Sequence, residues 1–247
     1  MKKFLAILSL TGVIAFSSIT VFAQEAATVA VEETISQEPM HQIIKDKFME
    51  GGVVWMSPLL ICLVLGLAIV IERVIYLNLS TVNTKKLIAK VEEALKNGGL
   101  EAAKEVCRNT KGPVASIFYQ GLERAPEGID VVEKSVIAYG SVQSGHLENG
   151  MSWIGLFISL APMIGFMGTV VGMIDAFDSI QAAGDIAPSM VAGGIKVALL
   201  TTVGGLIVAV ILQIFYNYLV AKIDSLVISM EDCSISLIDI LTKFLKK

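Results

Sequence analysis

Two hydroxyls stand inside long uncharged apolar runs: Thr169 between Met151 and Ile174, and Thr202, with Thr201 beside it, between Val197 and Ala221. A hydroxyl donates one hydrogen bond and accepts two, but it does not titrate near neutral pH. It can solvate a proton in transit without holding it. Charges appear only at the ends of the runs, Asp175 and Lys196 towards the turn between them, and Glu72 and Arg73 closing an earlier apolar run. Thr169 and Thr202 lie symmetrically about position 185.5, and so do Asp175 and Lys196. At about 1.5 Å rise per residue the threonines share one depth, and Asp175 and Lys196 share another about 9 Å nearer the turn. The spacing therefore predicts channel-lining hydroxyls at Thr169, Thr202 and Thr201, and a charge pair, Asp175 with Lys196, near the outer face.

The elements that position these residues are two antiparallel helices, each long enough to cross a bilayer. Gly184, Asp185 and Pro188 are turn and helix-start residues and place the tip between the helices. Ala161, Gly165, Gly168, Gly172 and Ala176 recur at three- and four-residue spacing, as do Gly194, Ala198, Thr201, Gly205 and Ala209. Such faces let helices approach closely, so Pro162, Gly165, Gly168, Gly172 and Gly205 are assigned to helix packing. A plain packing role also accounts for a buried threonine, whose hydroxyl commonly bonds the carbonyl four residues back.

Composition bounds the class: with 54% hydrophobic and 17% charged residues, the apolar ones gathered in blocks, the chain reads as an all-α integral membrane protein. No basic patch is interleaved with aromatics, which gives nucleic-acid binding no support. Cys62, Cys107 and Cys233 are widely spaced, and His41 and His146 are far apart. Neither set forms a metal or disulfide pattern. No nucleophile constellation or phosphate-cradling loop marks an enzyme, and no cofactor is called for.

Residues 1–23 read as a signal peptide and 24–50 as an acidic extracytoplasmic segment. Three transmembrane helices follow in the mature chain: 51–73, 151–178 and 191–221. Between the first two lies a helical cytoplasmic domain, 74–150, into which the membrane helices extend; 179–190 is an extracytoplasmic turn, and 222–247 a C-terminal cytoplasmic helix that continues out of the membrane and packs on that domain. Residues 80–150 carry nine Lys/Arg, whereas 175–195 carry none before Lys196. By the positive-inside rule the mature N-terminus and the hairpin tip face outwards and the C-terminus inwards, with Glu72 and Arg73 at the cytoplasmic interface. Between its flanking charges the hairpin holds no carboxylate. A protein conducting protons here needs a titrating group from another chain.

These residues resemble the MotA/TolQ/ExbB proton-channel family, most closely its ExbB/TolQ branch. The resemblance is carried by Ile71-Glu72-Arg73 with Tyr76-Leu77, by the Gly98 to Gly121 stretch with Cys107 and Gly112-Pro113, by Ala161-Pro162-Met163-Ile164-Gly165-Phe166-Met167-Gly168-Thr169-Val170, and by Ala198 to Thr202 followed by Gly204-Gly205-Leu206. It implies a multi-pass protein of the bacterial inner membrane. It further implies a homopentamer around the transmembrane helices of ExbD-like or TolR-like single-span subunits, each supplying an aspartate, and force delivered to a TonB-like protein. Family threonines matching Thr169 and Thr202 face that channel. Some members carry a glutamate where Val197 stands, beside Lys196, so an account relying on that glutamate does not transfer. A TolQ-like or motility stator, driven by protons or sodium, and a non-conducting scaffold are the competing readings.

Overall fold

The computed structural model describes residues 39–184 and 188–245. The signal-peptide reading, most of the acidic segment and the hairpin tip at Asp185 and Ile186 fall outside the described residues. Among the described residues seven α-helices follow one another: α1 Met40–Glu50, α2 Val53–Ser80, α3 Thr84–Arg108, α4 Pro113–Arg124, α5 Ile129–Glu148, α6 Met151–Ala183 and α7 Pro188–Leu245. A 3₁₀ turn, Ala125–Glu127, joins α4 to α5. Among the described residues there is no strand, and three helical stretches are long and apolar enough to cross a membrane. This is an all-α integral membrane protein.

Helix ends follow from local chemistry. Asn83 caps α3 by accepting from the Lys86 N–H at 3.1 Å, the side-chain type that best satisfies the orphan donors of a first turn. Gly112 stands at φ +120°, where a Cβ would meet Ser80 O at 3.1 Å, and Pro113 then starts α4 with no N–H to lose. Gly150, at φ +83°, separates α5 from α6. A Cβ there would stand 3.2 Å from Arg73 Nε.

α2 continues past residue 73 to Ser80, and α7 runs unbroken for 58 residues. The third apolar run and the C-terminal helix are thus one rod, about 87 Å long at the α-helical rise. Away from the hairpin tip, its residues Leu219, Ile223, Leu226, Met230, Cys233, Leu237 and Leu241 form a buried stripe. The three- and four-residue spacing is that of one helix face. The stripe closes on Leu87, Val91 and Leu95 of α3, Phe118 and Leu122 of α4, and Val132 and Val136 of α5. A second, smaller cluster joins Leu59 and Cys62 of α2 to Ala161 of α6 and to Val208 and Leu212 of α7. Outside these contacts α2, α6 and α7 expose large apolar side chains such as Val64, Phe166 and Ile207, a surface suited to lipid or to other membrane helices.

Candidate functional site

The hairpin of α6 and α7 is held together by close backbone approach. A Cβ at Gly165 would meet Thr201 O at 2.8 Å, one at Gly172 would meet Gly194 O at 3.0 Å, and one at Gly205 would meet Ala161 O at 2.6 Å. Gly168 lies against the Thr201 side chain, with 2.6 Å from its would-be Cβ to Thr201 Oγ1. Any side chain at these four positions pushes the helices apart. Pro162 sits within α6 on a half-buried face and removes one of that helix's own hydrogen bonds.

Three threonines take three different places. Thr202, half-buried on α7, donates from Oγ1 across the hairpin to Gly165 O at 3.4 Å, a long bond reached because position 165 has no side chain in the way. Thr169, half-buried on α6, donates to Phe166 O in its own helix. Both hydroxyls spend their proton on a backbone carbonyl and keep acceptor capacity, the arrangement that solvates a protonated species. Thr201 is 0% exposed and donates to Ala198 O at 2.9 Å. Thr201, expected from the spacing to line a channel, has its side chain enclosed between the two helices of its own hairpin, facing Gly168.

Asp175 and Lys196 also part company. Lys196 Nζ lies 2.8 Å from Glu50 Oε1, not against Asp175, and Lys47 Nζ lies 2.9 Å from Glu50 Oε2. Equal depth does not fix azimuth. The hairpin face of α7 carries Gly194 and Ala198, and position 196 points about 200° away from 198 at 100° per residue. The Gly51-Gly52 turn then presents Glu50 to that side of α7, where a Cβ at Gly52 would stand 3.8 Å from Val197 Cγ1. The hydrogen bond from Lys196, and secondarily that from Lys47, holds the Glu50 carboxyl below the usual carboxylate range. Sequence reasoning missed Glu50 as a site residue; the signal was a carboxylate next to a Gly-Gly turn, with Lys47 one helical turn before it.

At the other end of α2, Arg73 is largely enclosed, its side chain 11% exposed, with Nε 2.8 Å from Glu72 Oε2. Its guanidinium stands 5.1 Å from the centre of the Tyr76 ring, within cation–π range. Arg73 therefore serves as a packed anchor under the α5–α6 break. Among the described residues no cluster of His, Cys, Asp or Glu has metal-site geometry.

Residues 109–232 match the sequence pattern of the MotA/TolQ/ExbB proton channel family. A protein of Methanothermobacter thermautotrophicus described as an ExbB homologue of biopolymer transport is 32% identical over 184 residues, which are 73% of this chain and 64% of that protein. The biopolymer transport protein ExbB1 of Vibrio cholerae is 29% identical over 167 residues, 65% of this chain and 71% of its own. Among solved structures, that of C. jejuni MotAB superposes with a TM-score of 0.59 at 18% identity, covering 92% of this chain and 89% of the other; this is a likeness of fold. The chain belongs to the MotA/TolQ/ExbB proton channel family.

Proposed function

We propose that this member of the family is an ExbB-type subunit of a proton-driven assembly in the bacterial inner membrane, energising a TonB-like protein for import across the outer membrane. The observation that carries the reading is the hairpin itself. Thr169 and Thr202 keep acceptor capacity on half-buried positions of two closely packed helices, while the run between Asp175 and Glu72 depths holds no carboxylate. A proton path along these hydroxyls is complete only when another chain supplies the titrating group.

In this reading five copies surround the single-span helices of ExbD-like or TolR-like subunits, each bringing an aspartate to the level of the threonines. The mature N-terminus and hairpin tip face the periplasm, and α3 to α5 with the end of α7 face the cytoplasm, in keeping with the Lys/Arg balance. Names of the relatives, ExbB in Vibrio cholerae and an ExbB homologue in Methanothermobacter thermautotrophicus, support the transport branch over a stator for motility.

Thr202→Val, which keeps shape and removes the hydroxyl, is expected to abolish most proton-dependent uptake while the complex still assembles, and Thr202→Ser to restore it. Native mass spectrometry of the complex expressed with its neighbouring genes should give a five-to-two composition. Uptake unaffected by Thr202→Val, or a monomer that binds no single-span partner, overturns the reading.

A further inference from the structure

Two recesses lie end to end along the seam between α5 and α7, away from the hairpin tip. The first, about 750 Å³, is walled by residues 142–152 and 216–224, including His146, Glu148, Tyr216 and Asp224. The second, about 580 Å³, continues from Ser144 back to Glu133 on α5 and from Val227 to Ile238 on α7. Together they follow α7 from Tyr216 to Ile238, about 33 Å of helix. Gly140, Ser141, Ser144 and Gly145 keep the α5 wall low, leaving room for a helix to lie along the seam.

Two independent features define what fits. The carboxylates of Glu133, Glu148, Asp224 and Glu231 line the recesses, with the His146 imidazole among them and no Lys or Arg among the lining residues. None of the four is in an ion pair among the described residues. Within 81–150 and 222–245 the exposed large apolar residues all belong to α5 and α7; Ile137 and Ile235, 63% and 62% exposed, line the second recess. α3, by contrast, carries lysines but exposes no large apolar side chain. A second copy offering α3 would bring charge without anchors. The occupant must carry both, in the helix-in-groove mode of an amphipathic segment.

The place of the groove identifies the partner. It opens at Ser152 and Tyr216, where the uncharged runs of α6 and α7 meet the charged part of the chain. Cytoplasmic flanks of membrane helices are enriched in Lys and Arg, which matches the acidic lining of the groove. We infer that the α5–α7 groove seats the basic amphipathic segment flanking the transmembrane helix of the single-span partner subunit. The inference rests on the proposed cytoplasmic orientation of this end.

The test uses the full chain in neutral phosphatidylcholine nanodiscs and, as probe, a labelled amphipathic Leu/Lys helix long enough to span both recesses, with its Leu/Glu counterpart as control. Binding by fluorescence anisotropy should favour the Leu/Lys helix, weaken with salt, and fall roughly tenfold in E133Q/D224N/E231Q, the loss that three screened ion pairs supply. A photoreactive group on the peptide should label α5 and α7 of the unsubstituted protein, which keeps the test informative if the triple variant misfolds. Equal binding of both peptides, or labelling elsewhere, overturns the inference. So does efficient disulfide formation between copies carrying Ile137→Cys and Ile235→Cys, because the groove is then the seam between neighbouring copies. Peptide binding is read on this chain alone, so it fails separately from the five-to-two composition.

Discussion

Glu50 accepts from two lysines, one in its own helix and one on α7. Its depressed carboxyl pKa sets the sign of a pH effect: the contribution is present above the ordinary glutamate range and is lost as pH falls through the lower, folded value. Both ends are accessible to solvent, so the tie between the α1–α2 turn and α7 is a light one. Hydrogen exchange should show protection of residues 47–56 falling on acidification in the native protein, whereas Glu50→Gln should lack that change; a native protein equally protected at both pH values refutes the tie. Cys107 behaves differently, since burial pushes its thiol up to about 12. Maleimide should leave Cys107 unmodified in the folded protein at pH 8 and modify it on denaturation. Prompt modification without unfolding would contradict its place in the core. At this scale the sequence reveals depth and conceals azimuth. Counting residues puts Thr201 and Thr202 one step apart on one helix, but only packing shows that the first faces Gly168 and the second half-opens beside Gly165.

The helices themselves were legible because uncharged runs of membrane length admit few other readings. Their continuation was legible too, because apolar residues such as Ile223, Leu226, Met230, Leu237 and Leu241 recur after Lys222 at the spacing of one helix face and suit a helix leaving the membrane to pack on the central domain. Lys222 ends the apolar run, yet α7 continues through it, carried by the stripe that begins at Leu219 and Ile223. The hairpin contact yields a prediction at the scale of the element. Gly205→Val places a methyl-bearing carbon against Ala161 O, which a Cβ already meets at 2.6 Å. It should splay α6 from α7 and destabilise the fold by about 1–3 kcal/mol, the usual cost of overpacking. Gly155→Ala is the matched control, because a Cβ there meets nothing within 4 Å. It should be neutral or stabilising by about 0.5–1 kcal/mol through helix propensity. Thermal melts in detergent followed by size exclusion distinguish the two, and equal melting points would discount the close approach.

For the whole molecule, the core away from the hairpin tip matters as much as the membrane helices. Leu237 is fully enclosed in the cluster shared by α3, α4, α5 and α7. Leu237→Ala should cost about 2–5 kcal/mol, read as a lowered melting temperature, and leave the α6–α7 hairpin contacts intact in cross-linking between cysteines placed on those helices. Loss of those cross-links would mean that the two parts do not fold with the independence their separate clusters suggest. The unbroken α7 adds a mechanical consequence. From Gly205 to Leu241 the rod spans about 54 Å without a hinge. A tilt of about 5° at the Gly205 crossing therefore carries Leu241 sideways by about 5 Å, close to one helical turn. α7 is a lever whose short arm lies beside the threonines and whose long arm is embedded in a packed core, so a small angular event at the hydroxyls arrives at the far end as a displacement large enough to repack side chains.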